Sequence, residues 1–382
     1  MKKNLPCVCL LFAVFLLIGS DTFIISPLIP AISREMRVSA GNGGLLVSAY
    51  SVFYVVFTFL LGPLSDRIGR KRMMIAGLLL FAAASFLTGI VGSFVPILLA
   101  RGATGIGAAF IAPNVWAYIG DRFTGRGRGK ATAAVASALS FGLVIGVPLG
   151  TWLGQRAGWQ FCFTLLGIYA LALTALLLLF LPENVKRTGQ DKARHTFRKV
   201  FSDPRAVWSF LVSFSVNFAT FGCYTFLGYW LIHVLRQPAA VSGTVFLLAG
   251  IGNLGGVFLS GALSGKNGPG KLVGVFLLAL TAAFCILPFV GGILVLATVG
   301  IVAMMAAGGA AFSSMQTFVT QLSDHARGTV VAVNNGFMWS GTAMGAAVLG
   351  IFINRWGFAA AMLLCAGCCG VACVIFRFVI KP

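Results

Sequence analysis

Charge is scarce in this chain. Of its 382 residues only 9% are charged, and just 8 are acidic against 28 Lys and Arg. A soluble domain carries about 25% charged residues. A chain this poor in charge cannot cover a water-facing surface, which excludes a soluble enzyme and a disordered protein. Histidine is nearly absent too. His195, His233 and His325 map to loops or span ends, with no metal-ligand spacing and no nucleophile beside a base. The chain therefore reads as a non-enzyme with no metal and no cofactor. It lacks the rings of charge or the filter sequence expected of a channel. No N-x-S/T sequon occurs, in keeping with a bacterial protein.

Apolar residues make up 59% of the chain, and the mean hydropathy is +0.97. The net charge of +20 invites a nucleic-acid reading. The bases, however, sit in short runs between long apolar stretches and do not cluster on one surface, so no nucleic-acid partner is expected. Cys365 and Cys368 have C-x-x-C spacing, but no His or carboxylate lies near them. They read, with Cys162, Cys223, Cys285, Cys369 and Cys373, as small packing residues.

Apolar runs at 7–30, 43–62, 73–92, 95–119, 131–153 and 160–181 are each long enough to span a bilayer as a helix, and so are 207–231, 242–263, 272–290, 293–321, 329–353 and 358–379. Lys2 and Lys3 resemble a signal-peptide start, but the following run is too long and lacks a cleavage site, so it reads as a retained helix. With the N-terminus inside, Lys and Arg divide 22 inside to 5 outside, as the positive-inside rule requires. The expected architecture is an all-α membrane protein of twelve transmembrane helices with both termini cytoplasmic. A polar stretch at 182–206 separates a six-helix bundle at 1–181 from a second at 207–382, and such internal duplication marks secondary transporters.

The loop after span two reads Gly62-Pro-Leu-Ser-Asp66-Arg67-Ile-Gly69-Arg70-Lys71-Arg72. Gly69 can take the positive φ of a tight turn. Asp66 is an acid where topology alone would call only for bases, and Arg70 can reach Asp121 at the end of span four. Gly62, Asp66, Arg67, Gly69, Arg70 and Asp121 together read as a conformational latch. The equivalent loop, Gly261-Ala-Leu-Ser-Gly265-Lys266, lacks the acid. Span four opens Arg101-Gly102-Ala-Thr104-Gly105, and span five holds Gly142-x3-Gly146-Val-Pro148-Leu-Gly150. Glycines four apart form a flat strip for backbone contact, and Pro148 removes one helix hydrogen bond.

These three motifs resemble those of the major facilitator superfamily: its G-x-L-a-D-r-x-G-r-k signature and, in its drug/proton antiporter branch, R-x-x-q-G (here with Thr104 for the usual Gln) and G-x-x-x-G-P-x-x-G. The resemblance covers the whole chain. It implies two pseudo-symmetric six-helix bundles and proton-coupled efflux of small, lipophilic or drug-like molecules across the bacterial inner membrane by a monomer, with the proton as coupling ion. A metabolite exporter or a proton-coupled importer is the alternative.

Only Asp21 and Arg101 place an ionisable group well inside the hydrocarbon, where a charge costs ~2.5–3.5 kcal/mol. Counting from Pro30 and Pro96 as the outer ends of their spans puts them ~13 and ~8 Å deep, within reach of each other. Burial favours the neutral form of a carboxylic acid and a nearby guanidinium favours the charged form. Movement of Arg101 would thus load or release a proton at Asp21. The aromatics and amides in mid-span, Tyr50, Tyr54, Asn114, Trp116, Asn217, Tyr224, Trp230, Asn334 and Trp339, are the candidate substrate contacts, with Asn253, Gln316 and Asn335 weaker.

Overall fold

The computed structural model describes residues 5–123, 125–183, 201–290, 292–322 and 327–380, and their side chains except at 62–64, 66–67, 125–126, 129, 239–240, 265–267 and 327–328. Lys2, Lys3, His195, His325 and most of the polar stretch between spans six and seven lie outside the described residues.

The described chain is helical because a segment in lipid must satisfy its own backbone. In order the helices are α1 (Leu5–Glu35), the short α2 (Ala40–Gly43), α3 (Leu45–Ile68), α4 (Arg70–Ile90), α5 (Phe94–Arg122), α6 (Gly125–Phe141), α7 (Val147–Ala157) and α8 (Trp159–Phe180). Then come α9 (Pro204–Tyr229), α10 (Ala239–Asn267), α11 (Pro269–Val290), α12 (Leu294–Gln321) and α13 (Arg327–Val374). Among the described residues eleven stretches are long and apolar enough to cross a membrane. The last of them, Thr329–Ile380, has 52 residues, which as one straight helix would measure ~78 Å against ~30 Å of hydrocarbon. It is broken at Gly357, where φ is 82° and ψ is 178°.

Helix α1 passes through Pro27 and Pro30 and ends at Glu35, five residues beyond the outer end read from the sequence. Its extension is held at the tip. The two carboxylate oxygens of Glu35 accept from Trp159 Nε1 at 2.6 Å and from Gln160 Nε2 at 2.7 Å, tying the end of α1 to the start of α8.

Two compact units divide the chain: Met1–Val38 with Ala49–Gly189, and Ser39–Ser48 with Gln190–Pro382. The segment Ser39–Ser48 lies by sequence among the first six spans, yet it packs within the second unit. There Asn354 donates to Ser39 Oγ at 3.0 Å and accepts from the Gly41 amide at 3.3 Å, while Ser48 donates to the Ala343 carbonyl at 2.8 Å.

The duplication has a register that the backbone reveals. Among the described residues six have positive φ: Arg37, Gly69, Gly158, Arg236, Gly268 and Gly357. They form three pairs, Arg37 with Arg236, Gly69 with Gly268 and Gly158 with Gly357, each 199 residues apart. A left-handed residue fixes the direction in which the next helix leaves. Three matching corners therefore fix a residue-by-residue correspondence between the halves.

Candidate functional site

Asp21 on α1 and Arg101 on α5 are 0% and 1% exposed. Arg101 Nη1 donates to Asp21 Oδ1 at 2.7 Å. The guanidinium carbon lies 5.0 Å from the centroid of the Tyr50 ring and 5.8 Å from that of Phe163, within the range of cation–π attraction. Four helices of the first unit, α1, α3, α5 and α8, thus converge on one cation and one anion. Glycine makes the approach possible. A Cβ at Gly105 would collide with the Tyr50 carbonyl oxygen, and one at Gly102 would come 2.9 Å from the Phe53 ring. These are the glycines of the span-four motif, and they bring the backbone of α5 onto α3 where Tyr50 sits.

The glycine strip of span five lies against the helix that carries Asp21. Gly142 abuts Gly19 and the amide of Ser20, Gly146 the Ser20 side chain, and Gly150 the side chain of Ile24. Between α6 and α7 the residues Gly142–Gly146 form one π-helical turn, closed by a bond from the Val147 amide to the Gly142 carbonyl. Pro148 has no N–H to donate and its ring crowds the carbonyl four residues back; a widened turn before it relieves both defects. A leucine at position 146 would be driven into Ser20, beside Asp21. On the efflux that the sequence motifs imply, Gly146→Leu is expected to lose that activity while still inserting, read as ethidium movement per inserted protein in everted vesicles. Parental efflux would remove this contact from the mechanism.

At the other end of α3, Gly69 has φ of 103°, and the three bases that follow reach three different elements. Arg70 Nε lies 3.6 Å from Asp121 Oδ2, and Arg70 also bonds Ser65, whose hydroxyl bonds Asn114. Lys71 Nζ donates to the Leu178 carbonyl at 2.9 Å, and Arg72 Nε lies 3.5 Å from Glu183 Oε1. The last pair is largely exposed and contributes little to stability. The side chains of Gly62, Asp66 and Arg67 lie outside the described ones.

The candidate substrate residues are dispersed. In the first unit Tyr50 lies under the guanidinium, and Tyr54 stacks beside it at 6.3 Å between centroids. Asn114 donates to the Phe110 carbonyl at 2.8 Å, and Trp116 meets Phe15 edge-on at 4.6 Å. In the second unit Asn217 donates to the Ser213 carbonyl at 2.8 Å, Tyr224 meets Phe246 edge-on and Trp230 stacks on Phe358. Asn334 donates to Gln316 at 2.9 Å, Gln316 to Asn335 at 3.1 Å, and Asn253 to the Met305 carbonyl at 3.3 Å. Trp339 is half-buried. Phe163 and the Glu35–Trp159–Gln160 cluster escaped the sequence reading. Only the turn at Gly158, just before Trp159, offered a signal for either.

The 199-residue register separates scaffold from chemistry. Gly142 and Gly146 correspond to Gly341 and Gly345, which lie against Phe214 and Phe218 of α9. Asp21, Asp66, Arg101 and Asp121 correspond to Thr220, Gly265, Gly300 and Thr320. These two close-packing glycines are duplicated, whereas Gly102, Gly105 and Gly150 correspond to Ile301, Met304 and Leu349. The three acids and the buried arginine belong to the first half alone. All nine cysteines are free, and among the described residues no group of His, Cys, Asp and Glu is arranged to hold a metal ion.

The sequence profile of the Major Facilitator Superfamily matches residues 11–340. The uncharacterized MFS-type transporter YceJ of Bacillus subtilis (strain 168) is 32% identical over 349 residues, covering 89% of this chain and 87% of that protein. Multidrug resistance protein 1 of the same organism is 31% identical over 230 residues, covering 59% of this chain and 57% of its own. The crystal structure of a D-xylose-proton symporter has the same fold, with a TM-score of 0.84 at 16% identity over 98% of this chain and 97% of that one.

Proposed function

The chain belongs to the Major Facilitator Superfamily, and from that premise we propose that it works as a proton-coupled efflux transporter for small lipophilic molecules. That it is a multi-pass secondary transporter and not an enzyme follows from the family. The finer reading rests on one observation: an ion pair closed at 2.7 Å between two fully buried side chains inside the first unit. A structural bridge would serve as well between any two helices. Here the anion lies on the segment of α1 gripped by the glycine strip, and the cation lies on the motif of α5. Protonation of Asp21 turns an ion pair into a neutral acid beside a guanidinium that stays charged. Arg101 is then held mainly by the faces of Tyr50 and Phe163, and α1 is free to shift along the strip. Resemblance to a multidrug resistance protein supports efflux of drug-like molecules.

The proposal includes twelve membrane crossings with both termini cytoplasmic, bundles at 1–181 and 207–382 joined at 182–206, and a monomer in the bacterial inner membrane with no cofactor beyond the proton. The second half-signature lacks an acid, so the latch acts through the first. Asp66→Asn is expected to lower transport about tenfold at normal expression, since an ionic contact at a helix end contributes on the order of 1–2 kcal/mol. Parental transport by the purified variant would remove the latch.

The whole reading is tested by reconstituting the protein in liposomes and imposing a pH gradient with ethidium as the transported probe. Dye movement against its gradient, coupled to proton flow the other way, is expected. Dye and proton moving together would make the protein an importer, and no response to the gradient would overturn proton coupling.

A further inference from the structure

Resting on that reading, we propose that the hydroxyl groups of Tyr50, Tyr54 and Thr58 form the route by which protons reach and leave Asp21. Asp21 is 0% exposed, so any proton it exchanges crosses protein first. The three residues are spaced four apart, which puts them on one face of α3. Tyr50 and Tyr54 are 1% and 8% exposed, whereas Val52, Phe53, Val56, Phe59 and Leu60 on the remaining surface of the helix are 40–64% exposed. The stripe is thus a buried polar line on a helix otherwise dressed for lipid, where each hydroxyl costs free energy to desolvate.

Its upper end meets the ion pair. The Tyr50 hydroxyl lies against Thr22, the neighbour of Asp21, and Thr22 spends its own proton on the Ile18 carbonyl at 2.7 Å, which leaves its oxygen free to accept. The Tyr54 hydroxyl lies against Thr58. From Tyr50 to Thr58 the line descends ~12 Å toward the end of α3 that carries Ser65 and the basic loop. Among the described residues the only charged groups at this stripe are Asp21 and Arg101.

A hydroxyl can accept one proton while giving up its own, so it relays charge without ionising. In release, the Tyr50 hydroxyl turns from Thr22 to a bridging water, the Asp21 carboxylic acid gives its proton to the Tyr50 oxygen, and Tyr50 passes its own to that water. That water hands one to Tyr54, Tyr54 to Thr58, and Thr58, whose hydroxyl is itself buried, to a second bridging water that carries it toward the Ser65 end of α3 and out. One proton leaves, each hydroxyl is restored, and no bond between heavy atoms changes. Loading is the reverse.

The test needs no substrate. With the full chain in lipid nanodiscs, the infrared band of the protonated Asp21 carboxyl is followed after a downward pH jump, with Asp21→Asn identifying the band by its loss. Tyr54→Phe and Thr58→Val remove one hydroxyl each at nearly constant volume. Both are expected to slow the rise of the band about a hundredfold, the low end of what positioned proton donors supply, with its final amplitude kept. Thr58→Ser should restore the parental rate. Parental rates in both variants would overturn the route and leave Asp21 as the coupling group. A parent that never shows the band would overturn the proton switch itself.

Discussion

Asp21→Asn is expected to abolish transport driven by a pH gradient while leaving energy-independent exchange of substrate in place. Asparagine has nearly the shape of aspartate and mimics its protonated form permanently, so the step that needs an empty carboxylate is lost and the step that needs a neutral side chain is kept. Among the described residues no other acid is buried. Asp121 and Glu183 pair with Arg70 and Arg72 at partly or largely exposed positions, and Glu35 is held by Trp159 and Gln160 at the tip of α1. In the second half the position equivalent to Asp21 is Thr220. The measurement is pH-gradient-driven and counterflow transport of ethidium in proteoliposomes, parent and variant side by side. Equal gradient-driven rates would reduce Asp21 and Arg101 to a structural bridge.

Arg101→Met is expected to have the largest effect on stability. Methionine fills most of the space but leaves the Asp21 carboxylate buried with no countercharge, a loss of ~3–5 kcal/mol for one-sided removal of a buried pair. The attraction to the Tyr50 and Phe163 rings is lost as well, ~0.5–2 kcal/mol at a desolvated site. The double variant Asp21→Asn, Arg101→Met removes both charges, and it should recover most of the lost stability because no unpaired ion is left behind. Thermal unfolding in detergent, scored as the apparent Tm of the parent, the two single variants and the double variant, gives the coupling directly. A double variant as unstable as Arg101→Met would show that packing of the arginine, not its charge, holds the four helices together.

Much of this was legible in one dimension. Runs of about twenty apolar residues can be nothing but membrane helices, because only a helix satisfies its own backbone in lipid. Two ionisable residues in such runs had to find each other, because neither is affordable alone. The left-handed turn at Gly69 was visible for a similar reason: a glycine between two helices at a tight corner has few other uses. The sequence marked Pro30 as the outer end of the first span but gave no sign that the helix runs on past it. The helix passes through it to Glu35 because the tip is fastened to Trp159 and Gln160, 124 and 125 residues away along the chain.

What the sequence determined by itself is therefore what each residue must satisfy locally: the spans, the need for a buried pair, the glycines free of side chains. What only the tertiary structure decided is which surfaces meet. No periodicity says that Gly142, Gly146 and Gly150 lie against Gly19, Ser20 and Ile24, that Tyr50 supports the guanidinium, that Ser39–Ser48 packs with the later helices, or that all the left-handed corners repeat at 199 residues. In lipid the apolar effect does not discriminate between one helix face and another, so neighbours are chosen by close fit and by a few polar contacts. That choice depends on residues a hundred or more positions apart, and it exists only once the helices are side by side.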